Sequence, residues 1–209
     1  MLGIDNYWLF VAAGVALNLA PGPDTLFIAG NSVAKGAKAG ICAVLGISSG
    51  CLVHIAAVAM GLSAILMVSS NAFAVVKYAG ALYLAYLGIR ALTAKSAIAD
   101  GEVVEDRRAI TVYYQGFLTN LLNPKVAVFF LSFLPQFVST NNTYGPVPFV
   151  VLGLTFLTTG TLWCLIVAVF ASQITGVLRQ NRTIGSFLKK GIGILFLGMA
   201  ANLVLAKHR

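Results

Sequence analysis

Charged side chains are scarce in this chain. Of its 209 residues, 10% are Asp, Glu, Lys or Arg and 59% are hydrophobic, whereas a soluble domain has about 25% charged and about 45–50% apolar residues. That balance excludes an ordinary water-soluble domain and predicts an integral membrane protein. A spanning helix needs about 20 mainly apolar residues, so the chain has room for about six spans and little else.

Acidic residues are the rarest charged type. The chain has six, and four of them fall within residues 94–108. Outside that segment only Asp5 and Asp24 remain, which makes Asp24 the one carboxylate predicted at membrane depth. Lys125 is the one base predicted at a comparable depth. A single membrane acid without a cluster of Met or Cys is a poor path for metal ions, so we predict no metal site and no cofactor.

Cysteine is also sparse. Cys42, Cys51 and Cys164 lie far apart in apolar runs and form no C-x-x-C motif, so we predict neither a disulfide nor a metal role for them. They are interpreted as small buried hydrophobes. A membrane thiol-disulfide electron carrier would need a redox pair of cysteines, and this class of protein is therefore disfavoured.

The apolar runs predict an all-α fold of six transmembrane helices in one membrane domain, residues 1–209. The N-terminal run lacks a basic start and a cleavage site, so it is interpreted as a retained span and not as a signal peptide. The predicted spans are residues 7–31, 39–68, 74–92, 112–138, 149–174 and 184–206.

The predicted spans form two halves. Residues 7–93 and 112–206 each hold three spans, and residues 94–111 form a charged linker between them. Because three is odd, two related units must enter the membrane from opposite sides, which predicts an inverted-topology repeat. A short match between the halves is seen in residues 80–85 (GALYLA) and 193–198 (GILFLG).

Two prolyl interruptions break the first and fourth spans near their middles. They lie in residues 18–24 (NLAPGPD) and 120–125 (NLLNPK), one in each half. Broken helices at matching places in two repeats are typical of the central binding site of a transporter.

The first interruption frees backbone acceptors. Pro21 and Pro23 have no N–H, so the carbonyls of Leu17 and Leu19 lose their helical partners, and Gly22 permits a sharp turn. Unpaired backbone is tolerated in a membrane only where it is buried in protein or lines a wet cavity. The freed carbonyls are therefore predicted ligands for a substrate ammonium group. The alternative is a purely structural kink.

The second interruption places a cation where a helix begins. Asn123 followed by Pro124 predicts an N-cap and the first residue of a restarted helix, so Lys125 lies at the positive end of that helix. A lysine at the bilayer centre costs about 2.5–3.5 kcal/mol on insertion scales, so a nearby anion is expected. Asp24 is one candidate, which gives a structural ion pair, and a substrate carboxylate is the other.

Three further polar side chains are candidates. Asn18 and Asn120 precede the prolines and are placed to pair with freed backbone groups or with substrate. His54 on the second span is either a proton relay, alongside Asp24 in proton coupling, or a neutral, hydrogen-bonded packing residue. Gly46 and the glycine four residues later favour close helix packing.

Basic residues set the predicted orientation. Ten lie at one set of helix ends and three at the other, so the positive-inside rule places both termini on the periplasmic side. The net charge of +8 is thus an orientation signal and not a nucleic-acid-binding surface. The ten are Lys35, Lys38, Arg90, Lys95, Arg107, Arg108, Arg179, Arg182, Lys189 and Lys190, and the three are Lys77, Lys207 and Arg209.

Four segments carry a resemblance to a known family. Residues 18–27 (NLAPGPDTLF), 80–88 (GALYLAYLG), 116–125 (GFLTNLLNPK) and 133–137 (FLPQF) resemble the LysE/RhtB family of amino-acid exporters, in order along nearly the whole chain. The resemblance implies a multi-pass protein of the bacterial inner membrane that exports amino acids or close derivatives with the proton-motive force. Its partners would be a small amino-acid substrate, protons and the lipid bilayer, without nucleic acid. A homodimer stays open.

A site with one acid and one base suits the ammonium and carboxylate groups of an amino acid and leaves nothing for a charged side chain. We therefore predict an exporter of neutral amino acids such as leucine, threonine or homoserine, and no enzymatic activity. Export of basic amino acids or of cations, and a non-transporting membrane scaffold, are the alternatives. The predicted substrate-binding residues are Asn18, Pro21, Gly22, Pro23, Asp24, Asn120, Asn123, Pro124 and Lys125.

Overall fold

The described part of the protein is helical, which confirms the all-α class. Its one extended pairing is an isolated antiparallel bridge between Ile4 and Val138. Most of the predicted third and sixth spans and residues 94–104 of the linker lie outside the described residues. For residues 105–108, 132 and 174–180 the backbone alone is described. The computed structural model describes residues 2–61, 78, 81–83, 85, 86, 88, 89, 92, 93, 105–139, 141–180, 190, 191, 194, 197, 198, 201 and 205.

The first predicted span is broken in the structure. Helix α1 spans Tyr7–Leu19 and helix α2 spans Pro23–Lys35, and their axes differ by 48°. α2 begins on a proline because the ring already holds a helical φ and the missing N–H has no helical acceptor at that position. The interruption predicted from the sequence is therefore confirmed as a bent pair of helices.

The second predicted span is shorter than its apolar run. Helix α3 spans Ala37–Ala59, whereas the predicted boundary was residue 68. Gly61, at φ +76°, lies just beyond the helix in the left-handed conformation that commonly ends helices. The hydrophobicity of the sequence did not predict this end of the helix, because the apolar run continues beyond it.

The fourth predicted span is also broken. Helix α4 spans Glu105–Leu121 and helix α5 spans Pro124–Val128, and the chain bends by 45° between them. The chain then continues through a π-helical turn, Phe129–Phe133, and a 3₁₀ turn, Leu134–Phe137. Because α4 begins at Glu105, the last part of the predicted linker is helical.

The last described helix and α3 are long and apolar enough to cross a membrane alone. Helix α6 spans Val147–Gln180, after a turn in which Gly145 takes φ +56°. By length and composition, the described residues hold two such helices, or four spans if each bent pair counts as one. The chain is thus a multi-pass membrane protein.

Glycines bring α3 and α4 into close contact. A Cβ on Gly116 would lie 2.7 Å from the carbonyl oxygen of Ala43, and one on Gly50 would lie 2.8 Å from that of Phe117. A Cβ on Gly46 would also meet the backbone of α4. The packing interpretation of these α3 glycines is confirmed, and it sets the end of α4 directly against α3.

The N-terminal segment and the end of the second bent pair meet at one end of the bundle. The N–H of Asp5 donates to the carbonyl of Phe137 at 2.9 Å, and the N–H of Ser139 donates to that of Gly3 at 2.9 Å. These bonds flank the bridge between Ile4 and Val138. Residues before the first span therefore lie beside residues after the fourth.

Candidate functional site

The two helix breaks meet around a cavity in the described bundle. It offers about 50 Å³ to the centres of water molecules, and a buried water needs about 10–15 Å³ by that measure, so a few waters fit. Helices α1 to α6 all contribute to its wall. Six predicted site residues line it, namely Asn18, Gly22, Asp24, Asn120, Asn123 and Lys125.

Lys125 bridges from the second break to the first. Its Nζ donates to the carbonyl oxygens of Leu17 and Ala20, both at 2.7 Å. The Leu17 carbonyl is the one that Pro21 deprives of a helical partner and that was predicted as a ligand for a substrate ammonium group; in the structure it accepts from the ammonium group of Lys125. An ammonium has three N–H groups, and one remains after these two bonds.

Asp24 has a different partner. Its Oδ2 accepts a hydrogen bond from the side-chain amide of Asn120 at 2.7 Å. Within the described part of the chain, Asp24 Oδ1 and Asn120 Oδ1 are both buried without a hydrogen-bond partner. The direct hydrogen-bonded pair of Asp24 with Lys125, one of the two arrangements predicted, is therefore not formed among the described residues.

Two buried acceptors without partners are an uncommon feature. Most buried polar side-chain atoms are hydrogen-bonded, and leaving one unpaired costs about 1–3 kcal/mol, or more for a charged group. Both acceptors belong to residues that line the cavity. Each of these two oxygens can accept a hydrogen bond from a donor such as an ammonium group or water.

The remaining asparagines hold the breaks in shape. Asn123 Oδ1 accepts the N–H of Lys125 at 3.0 Å, which confirms the predicted N-cap of α5. Asn18 donates from Nδ2 to the hydroxyl of Thr159 at 3.2 Å, across from α1 to α6. Asn18 thus bonds a side chain and not a freed backbone group, and it lines the cavity.

His54 lies behind the second break. Its Nε2 is 3.2 Å from the carbonyl oxygen of Asn120, and its ring stacks on that of Phe130, with centroids 5.7 Å apart. Among the described residues that line the cavity, His54 is not included, and neither are Pro21, Pro23 and Pro124. The prolines shape the backbone of the site.

Several lining residues were not predicted as site residues. The hydroxyls of Ser48 on α3 and Thr161 on α6 lie 2.9 Å apart at the cavity. Pairs so far apart in sequence leave no local signal. The other unpredicted lining residues are Leu17, Thr25, Ile47, Cys51, Val126, Phe156, Leu157, Gly160 and Cys164.

All three cysteines lie in the described part of the chain. Cys51 and Cys164 are buried and Cys42 is partly buried, all as free thiols, which confirms their interpretation as small buried residues. In the portion of the chain that is described, no group of three His, Cys, Asp or Glu side chains is arranged to hold a metal ion.

Comparison with known proteins gives a consistent picture. The leucine efflux protein of Salmonella typhimurium is 30% identical over 208 residues, covering 96% of this chain and 95% of the relative. That of Klebsiella pneumoniae is 29% identical over 202 residues, covering 96% and 95%. An uncharacterized membrane protein of Pseudomonas aeruginosa is 29% identical over 213 residues, covering 98% and 97%. No solved structure matches the chain significantly. The family model described as LysE type translocator matches residues 15–207, and the chain belongs to that family.

Proposed function

We propose that this protein is a secondary active exporter of neutral amino acids across the bacterial inner membrane. Family membership and the two relatives named leucine efflux proteins support amino-acid export. The observation that carries the proposal is the cavity between the broken helices. Asp24 and Lys125 are the charged side chains among its described lining residues, and the Oδ1 atoms of Asp24 and Asn120 are buried there without a hydrogen-bond partner in the described part of the chain.

The ammonium group of the substrate binds between Asp24 Oδ1 and Asn120 Oδ1. Both are acceptors, and a cation satisfies them together. The carboxylate binds the third N–H of Lys125 and the start of α2, where the N–H groups of Asp24 and Thr25 have no acceptor within the helix. A helix N-terminus favours an anion, so backbone and side chain act in the same direction.

The substrate side chain packs on the apolar part of the wall. Ile47, Val126, Phe156 and Leu157 supply that surface, and Phe156 is fixed by stacking on Phe129, with centroids 4.3 Å apart. Among the described lining residues no charge remains for a third ionic group. This arrangement favours leucine, threonine or homoserine over a basic amino acid.

Transport requires the site to open. The cavity has space for a few waters and not for a whole amino acid, so the two bent pairs must move apart to admit substrate. We propose that they do so as parts of two inverted three-helix repeats, residues 7–93 and 112–206, that rock around the site. Their similar bends of 48° and 45° support this symmetry. Asp24 serves as the proton-coupling group, because it is the one acid among the described residues that line the cavity.

We expect loaded cells to reveal the substrate. Cells fed dipeptides that contain leucine, threonine or homoserine should extrude at least one of these amino acids faster when the protein is produced. A protonophore should remove the gain, because the proton-motive force drives it. Cells without the protein are the control, and lysine dipeptides test the basic alternative. Efflux that persists with the uncoupler would contradict active export.

We also expect both termini to be periplasmic. The N-terminal segment lies beside the end of the fourth predicted span, at Phe137, Val138 and Ser139, and an even number of spans between these two segments would place them on the same side of the membrane. In a variant without the three native cysteines, a cysteine at the exposed position Thr143 should react with an impermeant thiol reagent in intact cells. One at Ser96 should react only after permeabilisation. Labelling of Ser96 in intact cells would reverse the orientation.

A further inference from the structure

The second helix break frees a carbonyl that has found a side-chain partner. In a continuous helix the carbonyl of Asn120 would accept from the residue four positions on, but that residue is Pro124, which has no N–H. The carbonyl oxygen instead lies 3.2 Å from His54 Nε2. It also accepts the N–H of Asn123 at 3.0 Å, as tight turns at helix ends do. Because a carbonyl can only accept, Nε2 must carry the proton of this bond.

The first break is held in the same way. Pro21 frees the Leu17 carbonyl, and Lys125 from the second half donates to it. His54 belongs to the first half and donates to the second break. The carbonyls of Leu17 and Asn120 are thus each capped by a basic side chain from the other half of the chain.

We propose that His54 is a positioning residue that fixes Asn120 for substrate binding. This rests on the function proposed above. The cap holds the backbone of Asn120, and the side chain of the same residue donates to Asp24 Oδ2 at 2.7 Å. Asn120 Oδ1 is buried without a hydrogen-bond partner among the described residues, and in the function proposed above it accepts from the substrate ammonium group. His54 therefore acts on the ammonium site through Asn120 without touching the substrate.

The packing around His54 supports a fixed role. Phe130, on which the imidazole stacks at an interplanar angle of 19°, is fully buried. Gly50, one turn before His54, lets α4 approach so closely that a Cβ there would lie 3.0 Å from Cβ of Asn120. The imidazole is consequently held between a rigid ring and the end of α4, in line with the freed carbonyl.

Two substitutions of His54 distinguish the contribution of its hydrogen-bond donor from that of its stacked ring. Gln in His54→Gln places an N–H donor near Nε2 but loses the stacking, whereas Phe in His54→Phe keeps the stacked ring but has no donor. For the leucine, threonine or homoserine that the wild type exports, His54→Phe should raise the KM about 3- to 10-fold, the effect of one lost hydrogen bond. The maximal rate should stay within about 2-fold. His54→Gln should resemble the wild type.

The Asn120→Ala variant tests whether His54→Phe raises the KM through Asn120. In Asn120→Ala the amide that contacts Asp24 is gone, so adding His54→Phe should cause no further rise in KM. A further rise of the same size as in the wild-type background would overturn the proposal. So would loss of export in His54→Gln, which a proton relay requires, or a KM unchanged in His54→Phe.

Thermal unfolding of the purified protein separates this inference from the proposed function. If the wild type exports none of the amino acids, the proposed function fails. The hydrogen bond from His54 to the Asn120 carbonyl is then tested by the melting temperature. His54→Phe should then melt below His54→Gln, because only the former removes the side-chain donor to the Asn120 carbonyl and leaves the N–H of Asn123 as its partner. Melting of His54→Phe at or above the temperature of His54→Gln would overturn the cap itself.

Discussion

Replacing Lys125 with methionine is expected to lower export at low substrate concentration by about 10- to 100-fold. The change removes a charged hydrogen bond to the substrate carboxylate, worth about 1.5–3 kcal/mol, and each 1.4 kcal/mol is about tenfold in affinity. It also strands the carbonyls of Leu17 and Ala20, to which Nζ donates. The initial export rate, corrected for the amount of protein in the membrane, measures the effect.

Lys125→Arg is the matched control for this change. A guanidinium keeps the charge and donates to several acceptors, so it should preserve the fold and a substantial part of the export. If the Lys125→Met variant is as abundant in the membrane as the wild type and exports equally well, the ammonium group of Lys125 has no part in substrate binding. If Lys125→Arg and Lys125→Met are equally inactive and both are absent from the membrane, Lys125 serves the fold alone.

The helix breaks are the part of the fold that the sequence predicts best, because the effect of proline is local. A missing N–H determines which carbonyl is freed and where a helix restarts. Asn123 therefore caps α5 as predicted, and α2 starts at Pro23. The end of α3 was missed because Gly61 stops the helix while the apolar run continues.

The partners within the site were harder to predict, since they join distant parts of the chain. The sequence showed both a freed carbonyl at Leu17 and a cation at Lys125 that needed a counterpart. It did not show that the two satisfy each other across 108 positions. Asp24 was therefore one of the two anions predicted for Lys125, whereas in the structure Asp24 accepts a hydrogen bond from Asn120.

The sequence predicts the charged and amide residues of the site more readily than the residues that line the cavity only because of how the helices pack. The acid, the base and the amides stand out in an apolar chain, and five of them line the cavity, namely Asn18, Asp24, Asn120, Asn123 and Lys125. Ser48, Thr161 and Phe156 are ordinary in a membrane helix, and only the packing of α3 against α6 turns them toward the cavity. Their role depends on three-dimensional proximity that one sequence does not contain.

Asp24→Asn, alone and combined with Lys125→Met, is expected to abolish proton-driven export. Asparagine has nearly the same shape as aspartate and keeps an oxygen that can accept from Asn120, so the variant removes the charge and little else. Asp5→Asn is the matched control, because Asp5 is the other acid outside residues 94–108 and is exposed. It should export like the wild type.

The double variant decides between a substrate clamp and a structural ion pair. If the two charges served only to neutralise each other, losing one would strand the other at membrane depth, and losing both would remove that penalty. Asp24→Asn with Lys125→Met would then recover transport. Because Lys125 bonds carbonyls and Asp24 bonds an amide, we expect the double variant to regain some melting temperature but no export. A double-mutant cycle on both quantities measures this coupling, and restored export in the double variant would rule out the clamp.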